Sequence, residues 1–283
     1  SFENRVGERS LTSFEMTDCH SEPQARNLSV AFSLSVGERK LMNHFVVSTS
    51  DGNLFMPLSF YIKSDDAYLN SVMWIPEKSR GEGVVFCHGW GGGNQYDDLL
   101  QILADRGYYA LRFEQRGYGK STGTADLSLW PVDMAVCAEF LKGVVQKIWA
   151  SGQSTGGTMS LVAATRYDCF AGAVSMAPFC SLPRILEDNI NSRAILEARF
   201  GPLEEKHFRT ANATEIVADL KKPVLIVQGT EDESVPFEHG KLLYEKLQGI
   251  AQHRPVPGGN HHLKNVERAP VIADIVGWLE KQK

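Results

Sequence analysis

Cysteine is scarce and shows no pairing pattern. The five residues Cys19, Cys87, Cys137, Cys169 and Cys180 are scattered over 283 positions, odd in number and without a Cys-x-x-Cys spacing. That excludes a disulfide framework and points to a reducing compartment. Cys87 and Cys137 lie inside apolar runs and are expected as small buried hydrophobes. An excess of basic charge is also missing: 29 Lys+Arg stand against 34 Asp+Glu, for a net charge of -5 and a pI near 5.9. Such a chain has no electrostatic footprint for nucleic acid. No apolar run approaches the roughly 20 residues that a bilayer-spanning helix needs, so no membrane partner is expected. The opening stretch Ser1–Glu8 has no apolar signal core. Unless processing has removed one, the expected location is cytoplasmic. His20, His44, His207 and His253 show no metal-ligand spacing with one another, and nothing calls for a metal or an organic cofactor.

What is present is ordinary for a globular chain with a sizeable core: 43% hydrophobic and 22% charged residues. The length suits one large α/β domain or two small ones. Residues 1–54 are polar and mixed, with weak alternation at Leu28–Leu34. They are expected as an extension packed on the main domain, with one or two edge strands. Residues 55–283 carry the regular pattern. Leu58–Lys63 and Tyr68–Ile75 alternate or run apolar around Ser64-Asp65-Asp66, which predicts a hairpin closed by Pro76. Gly83–Cys87, Tyr108–Phe113, Lys147–Ala150, Ala171–Ala177 and Pro223–Gly229 are short, apolar and rich in β-branched or aromatic residues, as strands buried on both faces should be. Helical patterns separate them: Leu99, Leu100 and Leu103 before Gly107, a helix opened by Pro131, and Phe237–Leu247. A strand around His253–Val256 and a helix from Pro270 close the chain. This alternation predicts a mostly parallel central sheet with helices on both faces. It breaks between Cys180 and Lys222, where the sequence is helical, charged and strandless. Residues 180–222 are therefore expected as a small helical cap inserted over one end of the sheet.

The chemistry gathers around Gly152-Gln153-Ser154-Thr155-Gly156, between an apolar run and a helix-compatible segment. Glycines at both second neighbours allow a turn tight enough to expose the Ser154 hydroxyl above the sheet. The helix that follows directs free N–H groups at the same point. In an open parallel sheet ligands bind at the carboxyl ends of strands, so the remaining groups are sought there. Thr230-Glu231-Asp232-Glu233 follows one strand, and Gly258-Gly259-Asn260-His261-His262 follows another. A serine, a carboxylate and a histidine thus follow strand ends in that order. Glu231 and Glu233 flank Asp232 and are candidates for the same role, but loop glutamates are more often solvated.

Five motifs resemble the α/β-hydrolase superfamily from Leu58 to the C-terminus. They are His88-Gly89-Trp90-Gly91, Arg116-Gly117-Tyr118-Gly119-Lys120-Ser121, Gly152–Gly156, Gly229-Thr230-Glu231-Asp232 with Val235-Pro236, and Gly258–His261. The resemblance implies Ser154 as nucleophile, His261 as base and Asp232 as the acid that orients it. It also implies an oxyanion hole formed by the backbone N–H groups of Trp90 and Thr155. Glu114 and Gln115 stand where the family commonly carries an aspartate before Arg-Gly. That is a scaffold position, and the departure leaves the chemistry untouched.

The expected activity is a serine hydrolase cleaving a carboxylic ester or thioester of a small acyl substrate through an acyl-enzyme. The reading allows a homodimer. Amide or peptide hydrolysis and C–C hydrolase or lyase chemistry use the same residues, and a ligand receptor is the non-enzymatic alternative. Other histidines and arginines have plainer readings. His88 is expected to shape the loop after its strand, Arg116 to hold its turn through backbone carbonyls, and His239 to lie on a helix surface. Of the two adjacent histidines, His261 follows the run of small residues and is taken as the base. His262 is expected to face the sheet edge or solvent beside Leu263.

Overall fold

The computed structural model describes residues 57–282, so the expected edge strands within 1–54 lie outside the described residues. In chain order the elements are β1 (Leu58–Ser64), β2 (Ala67–Trp74), β3 (Glu82–Cys87), α1 (Asp97–Asp105), β4 (Tyr108–Phe113), α2 (Trp130–Leu141), β5 (Lys147–Gln153), α3 (Thr155–Arg166) and β6 (Gly172–Met176). Next come α4 (Leu182–Asp188), α5 (Ser192–Phe200), α6 (Glu205–Thr210), α7 (Ala213–Ile216), β7 (Val224–Gly229), α8 (Phe237–Lys246), β8 (Ala251–Val256) and α9 (Ala269–Lys281).

The eight strands form one sheet in the order β1-β2-β4-β3-β5-β6-β7-β8. The β1–β2 hairpin turns at Asp65, which adopts a positive φ of 51°. β2 joins β4 antiparallel, and every pairing from β4 across to β8 is parallel. β3, β5, β6 and β7 are buried almost throughout, which is why they read as continuous apolar runs rather than alternating ones. One face of the sheet is covered by a core that includes Trp130 and Met134 of α2, Met159 and Leu161 of α3, and Leu243 of α8. On the other face α1 brings Leu99, Leu100 and Leu103, and α9 brings Ile272, Ile275 and Leu279. α1, α8 and α9 hide one stripe against the sheet and leave the other in water, whereas α3 is buried on every side from Thr155 to Ala164.

Between β6 and β7 the chain makes four helices and no strand, as the charged, periodic sequence of 180–222 requires. This helical insertion is tied to loops at the carboxyl ends of two strands. After β4, Arg199 lies over the Tyr118 ring at 4.4 Å, and Lys206 and His207 reach Asp126 at 3.0 and 3.3 Å. After β7, the Asn189 amide donates to the Ser234 carbonyl at 3.3 Å.

Candidate active site

Ser154 sits at φ 58°, ψ -123° between β5 and α3. For a non-glycine residue such a conformation costs about 1–3 kcal/mol and must be held by its surroundings. Two backbone bonds hold it. Its N–H donates to the Met176 carbonyl at the end of β6 (2.8 Å), and its carbonyl accepts from Thr158 N–H (3.0 Å). The flanking glycines are required by close approach. A Cβ on Gly156 would collide with the Cys87 carbonyl and lie 2.6 Å from the His88 carbonyl oxygen, and one on Gly152 would strike the Gly156 carbonyl. The start of α3 therefore packs backbone to backbone against the end of β3. Thr155 is the first residue of α3, where an N–H has no partner within the helix and the helix dipole is positive.

The loop after β3 lies against this turn. Its backbone passes so near that a Cβ on Gly89 would stand 3.1 Å from Ser154 Cβ, and a turn closed by Gly92 N–H to the Gly89 carbonyl (3.0 Å) carries Trp90. His88 clamps the loop from below. Its Nδ1 contacts the Gly89 carbonyl at 2.6 Å, and its Nε2 accepts from Gln115 N–H at 3.0 Å, so the proton sits on Nδ1. Burial pushes its pKa down to about 4, and the ring is neutral near pH 7. His88 thus shapes the loop, as its position after a buried strand suggests.

The loops after β7 and β8 meet on the same edge. Backbone bonds from Thr230 to Val256 and from Glu231 to Gly259, both 3.0 Å, bring them together. Asp232 is buried there, and its Oδ1 accepts from the N–H groups of Ser234 (3.0 Å) and Val235 (2.8 Å). His261 Nδ1 lies 2.8 Å from Oδ2 and 3.0 Å from Oδ1 of that carboxylate. Glu231 and Glu233 are exposed and take no part. His262 is half-buried rather than solvent-facing, with its ring edge against His261 at 4.8 Å and burial lowering its pKa. His261 Nε2 does not hydrogen-bond to Ser154; it meets the side-chain amide of Gln153 at 3.0 Å. Gln153 stood at a free position of the Gly-x-Ser-x-Gly pattern, and nothing local marked it.

Two expectations are corrected. Arg116 does not hold its turn through carbonyls. Its guanidinium is buried against Asp133 of α2, with Nη2 to Oδ1 at 2.6 Å and Nε to Oδ2 at 2.9 Å, and it also reaches Ser64 Oγ at 3.3 Å. His239 is not on the surface. It is buried where α8 faces the helical insertion, with Nδ1 accepting from Cys180 N–H (3.1 Å) and Nε2 3.1 Å from the Asp188 carboxylate. Burial lowers its pKa. By contrast, Glu114 serves the scaffold as expected, accepting from the Asn70 amide (2.9 Å) and Lys120 N–H (2.7 Å). Among the described residues no three or more His, Cys, Asp or Glu side chains gather where they could hold a metal ion. No helix among them is long and apolar enough to cross a membrane.

Known proteins with similar sequences and structures share this framework. The α/β-hydrolase domain-containing protein aho-3 of Caenorhabditis elegans is 30% identical over 189 residues, covering 63% of this chain and 52% of its own. The chain therefore spans about half the length of that relative. Human protein ABHD12B is 28% identical over 243 residues, 78% of this chain and 67% of its own. Est1E from Butyrivibrio proteoclasticus, solved with ferulic acid, superposes with a TM-score of 0.66 at 22% identity, over 79% of this chain and 98% of the esterase. The acylaminoacyl peptidase of Pyrococcus horikoshii superposes with a TM-score of 0.65 at 21% identity, over 80% of this chain and 41% of the peptidase. Residues 94–283, from the start of α1 through β4, the Ser154 turn and the Asp232 and His261 loops, match the prolyl oligopeptidase family. With its mostly parallel eight-stranded sheet covered on both faces, the chain belongs to that family of α/β-hydrolase-fold serine hydrolases.

Proposed function

We propose that the protein hydrolyses a carboxylic ester or thioester of a small acyl compound through an acyl-enzyme on Ser154. The observation that carries this reading is the convergence of three strand ends. A strained serine stands at a helix N-terminus, and a buried Asp232–His261 pair at 2.8 Å presents its other ring nitrogen towards the same turn. Ser154 Oγ attacks the carbonyl carbon as His261 Nε2 takes its proton, and Asp232 stabilises the imidazolium so formed. The N–H groups of Trp90 and Thr155 receive the oxyanion, each contributing about 3 kcal/mol by comparison with measured holes. Collapse expels the alcohol or thiol with the proton from His261. Water, deprotonated by the same ring, then releases the acid and restores Ser154.

The ester or thioester reading is favoured by coverage. The chain matches the ferulate-bound esterase over 98% of its length but only 41% of the acylaminoacyl peptidase. Amide or peptide cleavage is the second reading, favoured by the family itself. The helical insertion acts as a cap that selects the acyl and leaving groups, since it is fastened to the loop after β4, whose Tyr118 meets His88, and to the loop after β7, which carries Asp232. Buried unpaired thiols such as Cys87 and Cys137 support a reducing, cytoplasmic setting.

The test is a panel of acyl chain lengths presented as esters, thioesters and amides, with Ser154→Ala as control and an organophosphonate probe mapped by peptide. Adduct on Ser154 alone, with ester or thioester turnover that survives chelation, is expected. An adduct elsewhere, or none on folded protein, overturns the nucleophile. Amide turnover exceeding ester turnover selects the second reading.

A further inference from the structure

We propose that Gln153 is a positioning residue that fixes the tautomer of His261 and keeps its ring nitrogen unprotonated until acyl transfer begins. The inference rests on the proposed role of His261 as base. Gln153 is the last residue of β5, buried at 3% exposure, and its side chain reaches across to a residue 108 positions away. Its Nε2 donates to the His261 main-chain carbonyl at 3.2 Å and meets the ring Nε2 at 3.0 Å.

A carbonyl oxygen only accepts, so the group that faces it must be the amide NH2 and not the amide oxygen. The second N–H of that NH2 then points at the ring. A donor can pair only with an unprotonated ring nitrogen, so Nε2 carries the lone pair and the ring proton lies on Nδ1, between the two Asp232 oxygens. That is the tautomer a general base for Ser154 requires. One amide thus reads both the main chain and the ring of His261, setting where the imidazole stands as well as which nitrogen is free.

Gln153 and Ser154 address the same atom from neighbouring positions. Successive side chains of a strand point to opposite faces, but the positive φ of Ser154 turns it out of the strand just after Gln153. A single lone pair accepts one strong hydrogen bond at a time. In the free enzyme Gln153 holds it, and a bound substrate transfers it to the Ser154 hydroxyl while the bond to the His261 carbonyl keeps the loop in place. After proton transfer the new Nε2–H faces an NH2, donor against donor. The contact therefore belongs to the neutral ring and opposes the charged one. The other groups facing His261 are Asp232 from the loop after β7 and His262, whose ring lies 4.8 Å away. Neither of them touches Nε2.

The first measurement needs no variant and no substrate. In protein labelled with 15N in histidine and glutamine side chains, His261 is expected to show the shifts of an Nδ1–H tautomer. A through-hydrogen-bond coupling should join its Nε2 to the Gln153 amide. The second measurement compares Gln153→Met, which keeps length and loses the donors, with Gln153→Glu, which puts an acceptor there. Gln153→Met should lose the coupling and lower kcat about tenfold, the effect of one hydrogen bond, with KM within threefold. Gln153→Glu should move the acid limb of kcat/KM at least one unit to higher pH, because an acceptor favours the protonated ring. A residue that only filled space beside Gly89 would change stability without moving tautomer or pH profile. A wild-type His261 protonated on Nε2, or no coupling to Gln153, overturns the proposal, as does a Gln153→Glu profile that matches wild type. Failure of the hydrolase reading is separate: it appears as absent Ser154 labelling, and the tautomer remains readable without turnover.

Discussion

Replacing Arg116 by methionine should destabilise the protein more than any exposed substitution and leave its chemistry intact. The guanidinium is 4% exposed and its partner Asp133 is 0% exposed. Two bonds of 2.6 and 2.9 Å join them, and Ser64 Oγ donates to the same carboxylate at 2.7 Å. A further carboxylate, the exposed Asp66, lies 3.5 Å from Arg116. In Arg116→Met the Asp133 carboxylate would stay in the core with one hydroxyl donor, and breaking a buried pair in this way costs about 3–5 kcal/mol. A domain whose total stability is about 5–15 kcal/mol loses a large share of it. At a urea m-value of about 3 kcal/mol per molar the midpoint should fall by about 1–1.7 M. The double variant Arg116→Met/Asp133→Leu removes both charges and fills the space with apolar atoms. It should recover most of that loss, so the double-mutant cycle reads a large coupling. Ester turnover per folded molecule should stay within twofold in either protein. A loss below about 1 kcal/mol, or a double variant no better than the single, refutes the buried-pair argument. Turnover lost from well-folded Arg116→Met would instead mean that Arg116 meets the substrate.

Gly156→Ala should fail at the backbone contact with Cys87 and His88, costing about 4 kcal/mol or more and abolishing phosphonate labelling of whatever remains folded; calorimetry and peptide mapping report both. His88 should make stability pH-dependent. Its ring titrates near pH 6.5 when unfolded and about 4 when folded, so the unfolded chain binds the proton first as pH falls. Its contribution is complete above pH 6.5 and lost as pH falls through 4. That loss is about 3 kcal/mol, read as the excess slope of wild type over His88→Gln in urea melts across that range. Asp232→Asn should keep the fold and lower kcat about 10⁴-fold, since an amide no longer holds the Nδ1–H tautomer; steady-state kinetics with circular dichroism separates the two effects.

The sheet was legible because its signals are local. Continuous apolar runs at Gly83–Cys87 and Pro223–Gly229 report strands buried on both faces, and the missing strand pattern from Cys180 to Lys222 reports the insertion. Ser154, Asp232 and His261 could be nominated together because a parallel sheet puts every strand's carboxyl end on one edge, so chain order stands in for space. The contacts that were missed are those made by single side chains across long separations. Gln153 reaches His261, Arg116 reaches Ser64 of β1, and His239 reaches Cys180. No periodicity encodes such pairs, since each depends on which loops the finished sheet brings together. His239 shows the failure most plainly. A histidine two residues into a helix after proline reads as solvated, and it is buried because the insertion folds back onto α8 at that point.

These long-range contacts divide the molecule into two supports that share few residues. The serine turn and its neighbours are held from below, by Gly152 and Gly156 against β3, by His88 against Gln115, and by Gln153 against His261. None of those bonds involves residues 180–222. The insertion is held from the side, through Arg199 on Tyr118, Lys206 and His207 on Asp126, Asn189 on Ser234 and Asp188 beside His239. A substitution in the insertion therefore reaches the proposed nucleophile through the substrate, through these attachments, or through the far end of α3, where Lys222 Nζ donates to the Ala164 and Tyr167 carbonyls. On the proposed reading, sequence drift there alters which acyl group is admitted while the strained serine, its helix N-terminus and the Asp232–His261 pair stay as they are. Tyr118 crosses this division, its ring meeting both His88 and Arg199, and so does Ser234. Its N–H donates to Asp232 and its carbonyl accepts from Asn189, so a movement of α4 is felt first at the carboxylate that orients His261.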